Sequence, residues 1–456
     1  MKAWQYEYEL RKSARIDLNW RSQWESIKNH EIFSDDLVSM FWSSRVPGSG
    51  APECLVAGAI QSVENMGRDV SRAEKLFEEG LEIFNRKDFQ NLKVVTALIF
   101  DELDRSPIMK NHPYHSFERP LGWRRISDQI SKESFQLDPE DLYESVLGGW
   151  LGQISGASMG TRFEGFFGEE LEFVQRQDLP RYVEEEGGYN DDIVYEIVAM
   201  EALKNSQRIS SRLIGLSWLK HIPFGWSAEY VALENLKRGI LPPRSGSFRN
   251  PFQEWIGAQM RCMLYGLIFP GRPFEAARLA HMDSVVSHSG NGVYGGMHSA
   301  VLTSLAFVLK DPRKIVLKSL DYVPPRSEFA HVLKRTIDWC SSCSSWRQVR
   351  KLVEEEFKNY NWIHLYPNAC CVTTALWFGE GDFDKTMEIV LKMGFDVDCN
   401  AGEVGTVLGV LLTARSIPSD WLRPLKGAVK TYMKGFERIS IEHLARLSLE
   451  LSKRFS

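Results

Sequence analysis

Beyond about residue 137 the chain is written as long apolar stretches at helical spacing, dotted with glycine, at 141–159, 192–203, 252–269, 294–309 and 400–414. A glycine inside a helix costs about 1 kcal/mol relative to alanine. Runs such as Gly148, Gly149, Gly152, Gly156 and Gly160, or Gly402, Gly405 and Gly409, therefore need an offset. Close approach of one helix to another provides it, and it draws the helix ends together around one central cleft. Alternation of the strand type is scarce, and the breaks carry Gly, Pro, Asn and Asp. The expected fold is all-α: a compact multi-helix domain over residues 137–456 with no internal repeat.

Residues 1–136 read as a helical N-terminal accessory region, with apolar positions such as Ala73, Leu76, Phe77, Leu81 and Phe84 at helical intervals. Breakers cluster at 45–52 and 106–120 and mark loops or a linker. No residue set in this region reads as chemistry. Against 60 Asp and Glu the chain carries 55 Lys and Arg, a net charge of -5, so nucleic acid is not an expected partner. The first 20 residues are charged throughout, without the apolar segment of a signal peptide. The longest nearly apolar run, 404–414, is too short to cross a bilayer, so no membrane role is expected. Seven scattered cysteines argue against a disulfide framework and fit a reducing cytoplasm. Cys340 and Cys343 have zinc spacing but lack a second ligand pair, and read as plain thiols.

Two acidic clusters carry the functional signal. Asn190, Asp191 and Asp192 directly precede an apolar helix, where Asn and Asp are also the preferred caps and first-turn residues. Asp396 and Asp398 stand at the mouth of a second apolar helix. Acids at this spacing suit chelation of a hard cation, and carboxylates from both mouths would repel one another unless a cation lay between them. A third element, Gly148 to Gly165, reads as a close-packed helix with Glu164 just beyond it; by itself Glu164 is equally a surface residue of a loop.

The order of these pieces resembles the ADP-ribosylglycohydrolase family: a G-x-x-x-G run ending in Glu164-Gly165, the triplet Asn190 to Asp192, Ser287-His288 followed by Asn291, Gly292, Tyr294 and Met297, then Gly394 to Ala401. It is similar to a longer prokaryotic branch with an N-terminal extension, whose segment resembles 249–261 here. The resemblance implies an all-helical domain with two divalent ions, magnesium first and manganese or calcium as alternatives. Asn190, Asp191 and Asp192 would bind from one side, and Asp396 and Asp398 from the other. Glu164 matches the catalytic glutamate. His288 falls where the family lines its ribose pocket, with Asn291, Gly292 and Tyr294 nearby, and Gln259 lies in the segment that wraps the diphosphate.

This chain departs from the family pattern at four places. Asn190 and Cys399 stand where threonines are usual, Ala157 replaces an acid, and Ile256 beside Trp255 replaces an asparagine of the diphosphate segment. Sulfur suits magnesium poorly, so the Cys399 side chain is expected outside the coordination sphere or the second site weaker. The implied activity is hydrolysis at ribose C1 of an ADP-ribosylated substrate, with the ions holding ribose hydroxyls and a water and Glu164 as base. Phe163 and Phe166 would raise the pKa of that base by desolvation. The loss of polarity at Ile256 keeps open a hydrolase of nucleosides or small ribosylated metabolites, and the Cys399 and Ala157 departures a non-catalytic binding protein. His112, His115 and His364 read as structural, with His364 and Asn368 as lining of the cleft the alternative.

Overall fold

The computed structural model describes residue 12 and residues 33–137, 141–204, 206 and 208–455. The expectation of charged residues without a leader segment over the first 20 positions lies outside the described residues apart from Lys12.

In the N-terminal region, helices α1 (Asp35–Trp42), α2 (Leu55–Asn65), α3 (Ser71–Asn85) and α4 (Phe89–Arg105) are the principal elements of the described chain. Ser34 caps α1 by accepting from Leu37 N–H at 3.1 Å, and Asp88 does the same for α4 through Asn91 N–H at 3.2 Å. Between α1 and α2 the breaker-rich segment forms a tight antiparallel ribbon, β1 (Ser44–Arg45) paired with β2 (Pro52–Glu53). A second short ribbon, Ala428–Lys430 with Arg438–Ser440, lies near the C-terminus. These two ribbons are the named strand pairs among the described residues, and the architecture is all-α.

The rest is a stack of helices, of which six position the site: α5 (Leu142–Gly160), α6 (Asp191–Lys204), α7 (Ser227–Lys237), α8 (Asn291–Ala306), α9 (Leu365–Gly379) and α10 (Val397–Leu412). The α5–α10 pair is the most extensively packed among the described elements. Its interface is built from the glycines: a side chain at Gly148, Gly152 or Gly156 would strike backbone atoms of Gly409, Gly405 or Ala401 across the contact. At Gly160, where α5 ends, a Cβ would lie 2.6 Å from the backbone nitrogen of Asp398. The same packing that offsets the helix penalty thus fixes where the first turn of α10 stands.

Hydrophobic core residues run continuously from Val38 in α1 to Leu451 near the C-terminus, so the N-terminal helices share one core with the remainder. The division at 136/137 is proposed on sequence grounds. The seven cysteines are unpaired. No helix of the described residues is long and apolar enough to cross a membrane.

Candidate active site

The two acid-bearing turns meet. Asn190 Nδ2 donates to Asp398 Oδ2 at 3.0 Å, and the Cys399 thiol donates to Asp192 Oδ1 at 3.5 Å. One ligand atom from each of Asp396, Asp398 and Cys399 lies within 4.8 Å of the others. Asp192, Asp396 and Asp398 are buried, while Asp191 and Glu164 are half-buried.

The two helix mouths differ in how the backbone uses their polar residues. Asn190 is a true cap: its Oδ1 accepts from Asp192 N–H at 3.0 Å. As a metal ligand it would have to share that oxygen with the cap. Asp396 occupies the N-cap position of α10 but makes no capping hydrogen bond, which leaves its carboxylate for other work. Its backbone is held instead by Asn368 of α9, whose Oδ1 accepts from Asp396 N–H at 3.0 Å and from Asn400 Nδ2 at 2.7 Å. The Asn368 amide in turn donates to the carbonyls of Trp362 and His364, each at 2.8 Å.

The electrostatics follow from this crowding. Burial, then Asp398, pushes Asp191 up to about 7. Burial followed by the charge of Asp398 likewise holds Asp192 and Asp396 well above the usual carboxylate range. Glu164 is raised by burial first, and then by Asp398, Asp396, Asp191 and Asp192. Phe163 beside it is buried. Five carboxyl groups in one low-dielectric space are stable as anions only with a compensating cation. Asp192 Oδ2 is buried with no hydrogen-bond partner, an oxygen free to bind one. The donor set is oxygen-rich and fits a hard divalent ion. Cys399 is the exception, its thiol serving Asp192 as a hydrogen-bond donor and touching Met260 Sδ at 3.8 Å.

The residues carried over for substrate contact are placed differently. His288, Asn291, Gly292, Tyr294 and Gln259 are all buried. Gln259 Nε2 donates to Glu403 Oε2 at 2.5 Å. Asn291 begins α8, held by Glu254 Oε1 at 2.9 Å, and Gly292 packs on the carbonyl of Gln253. The Tyr294 hydroxyl donates to the Pro120 carbonyl at 2.8 Å. His288 Nδ1 pairs with Ser287 Oγ at 2.7 Å, and Ser287 belongs to a buried network in which Arg261 binds Glu229 at 2.8 Å and Asp283 at 2.7 Å. His288 and Tyr294 line a cavity of about 410 Å³ beneath Pro120, Leu121 and Gly122 whose lining includes none of the five acids.

Three contributors were not found from sequence. Asn368, beside His364 an alternative lining of the cleft, is not marked by the sequence as the support of the α10 turn, and His364 itself caps α9 by accepting from Tyr366 N–H at 3.2 Å. Tyr432 stands near Asp191 and Asp192, whose charges raise its pKa after burial does. The third is the N-terminal turn. A methyl group on Gly48 would collide with Thr161 and lie 2.7 Å from Glu164 Oε1. The breaker cluster at 45–52 is therefore part of the wall around the acids.

The sequence model of the ADP-ribosylglycohydrolase family matches residues 138–455. Among solved structures, the chain is similar to one described as an ADP-ribosylglycohydrolase-related protein complex, at 17% identity and a TM-score of 0.48, covering 70% of this chain and 100% of that one. No curated protein matches the chain. The family match takes in every acid of the cluster and most of the chain's length, and the chain belongs to the ADP-ribosylglycohydrolase family.

Proposed function

We propose that the chain is a metal-dependent hydrolase that cleaves the bond at ribose C1 of an ADP-ribosylated substrate. Family membership supports a glycosyl hydrolase of this type. The observation that carries the finer reading is the meeting of the Asn190–Asp192 and Asp396–Asp398 turns, Asn190 on Asp398 at 3.0 Å and Cys399 on Asp192 at 3.5 Å, with Asp192 Oδ2 buried and unpartnered.

Asp191, Asp192, Asp396 and Asp398 would hold two divalent ions, magnesium before manganese or calcium, with Asn190 sharing its capping oxygen. Bound there, such ions supply Lewis acidity and hold sugar hydroxyls and water in a fixed orientation. Glu164 accepts the proton of the attacking water, whose oxygen bonds to C1 while the bond to the leaving group breaks and its electron pair departs with that group. A positioned base of this kind is worth about 10² to 10⁴ in rate. Half-burial suits Glu164 to the role, since its carboxylate is neither sealed from solvent nor fully exposed to it. Asn368 and the Gly160 contact hold the α10 turn still. His288, Asn291, Gly292, Tyr294 and Gln259 are proposed as the layer that supports the ribose-facing wall.

The test is release of ADP-ribose from ADP-ribosylated arginine and serine derivatives with and without each metal. Metal-dependent release abolished by Asp398→Asn supports the reading. Full activity in the presence of a chelator that strips all divalent ions would reject it.

A further inference from the structure

We infer that the turn 46–51 of the N-terminal region is a size filter beside the acidic cluster, admitting free small ribosylated molecules and excluding a ribosyl linkage carried on a folded protein. The inference rests on the proposed hydrolysis and specifies its substrate class.

The turn packs against the loop that carries the proposed base, Glu164. Gly48 approaches Glu164 Oε1 and Thr161 so closely that no larger residue fits there, and a Cβ on Gly165 would come within 2.8 Å of the Ala51 side chain. Segment 48–51 therefore runs alongside 161–165, in contact with the proposed base. The conformation is internally fixed. Val46 accepts from Gly50 N–H at 2.8 Å, its own N–H donates to Ala51 at 2.9 Å, and Arg45 Nη1 donates to the Gly50 carbonyl at 3.0 Å.

The turn is also tied to the rest of the protein on the side that leads into α2. Glu53 accepts from Trp226 Nε1, beside α7, at 2.9 Å. Within α2, Ser62 accepts from Trp255 Nε1 at 2.5 Å, and Asn65 Nδ2 donates to the Asn359 carbonyl at 3.4 Å. A Cβ on Gly58 would press on Asn361 and Trp255 at 3.0 Å, so α2 lies flat on this surface. A wall held by Trp226 just before α7, by Trp255 and by the 359–361 loop does not swing aside for a bulky partner. Glu164 is left half-buried: a small molecule reaches it, whereas a linkage on a protein surface must bring the carrier's backbone into the space that 46–51 fills.

The experiment uses linkage-matched pairs with the full chain: free ADP-ribosyl-arginine against the same linkage on a folded ADP-ribosylated protein, and free ADP-ribosyl-serine against its protein-bound form, each with Mg²⁺, Mn²⁺ and Ca²⁺. The expected result is cleavage of a free member faster than its protein-bound partner by on the order of 100-fold. Comparable rates for both members, or a faster protein-bound member, overturn the size filter and leave the hydrolase reading intact. Cleavage of neither member of either pair rejects the hydrolase reading, and the filter with it. As a second arm, deleting Pro47 to Gly50 should raise the protein-bound rate relative to the free one. A folded deletion variant with an unchanged ratio also overturns the proposal, and the wild-type comparison decides the matter if the variant does not fold.

Discussion

Replacing Gly160 by alanine puts a methyl group 2.6 Å from the nitrogen of Asp398 and 2.7 Å from the carbonyl carbon of Val397. Both are backbone atoms, so no side chain can swing away. Restoring ordinary contact at about 3.4 to 4 Å requires α5 and the first turn of α10 to separate by roughly 1 Å. Overpacking of this kind costs about 1–3 kcal/mol of stability. Ligand distances in a metal site tolerate only about 0.2 Å, so Asp396 and Asp398 would lose their common geometry with Asp191 and Asp192. Gly402, one turn into α10, is the control, because a Cβ there meets Ala157 at an ordinary 3.4 Å. Gly402→Ala should be neutral or gain up to about 1 kcal/mol of helix propensity. Urea unfolding measures the first effect and calorimetric titration with Mn²⁺ the second. A Gly160→Ala variant that matches wild type in both, or a Gly402→Ala variant that loses as much as Gly160→Ala, refutes the reasoning.

Glu164→Gln should bind metal normally yet lose about 10² to 10⁴ in kcat, read by metal titration and steady-state kinetics on the same preparation. Asp191→Asn should lose metal and activity together, since it removes a charge from the cluster without removing its bulk. Arg261→Met leaves Glu229 and Asp283 buried without their cation and should cost about 3–5 kcal/mol in denaturant unfolding. Glu53, pushed up from 4.5 to about 7 by burial, holds in the fold a proton that the unfolded chain releases. Its contribution is therefore most favourable below pH 4.5 and is lost as pH rises to 7, beyond which the full penalty applies. Glu53→Gln keeps the acceptor for Trp226, and at pH 8 it should be more stable than wild type by up to about 3 kcal/mol, with the advantage vanishing near pH 4 in paired unfolding curves.

The helical architecture was legible because glycine at every fourth position of an apolar helix has few explanations other than backbone contact, and Gly152 against Gly405 is that contact. The acids were legible in composition, and in part ambiguous in role. Asn190 turned out to cap its helix, as its residue type prefers, whereas Asp396 at the equivalent place does not, and nothing local distinguishes the two. Residues that act from a distance in sequence stayed hidden. Asn368 reaches the α10 turn from 28 positions away, and its pattern on α9 is that of any buried asparagine. The segment 45–52 reads as a loop, and a loop is what it forms; only tertiary packing lays it against Glu164. His288 and Tyr294 were placed by resemblance, and local sequence gives no sign that Ser287 and Pro120 engage them.

Crystals of the full chain grown with Mn²⁺, with anomalous scattering recorded at the manganese edge, test the central claim most directly. The account predicts density between the Asp191–Asp192 and Asp396–Asp398 carboxylates, lost in the Asp398→Asn variant. Scattering located elsewhere, or none at these four side chains under saturating metal, would contradict it.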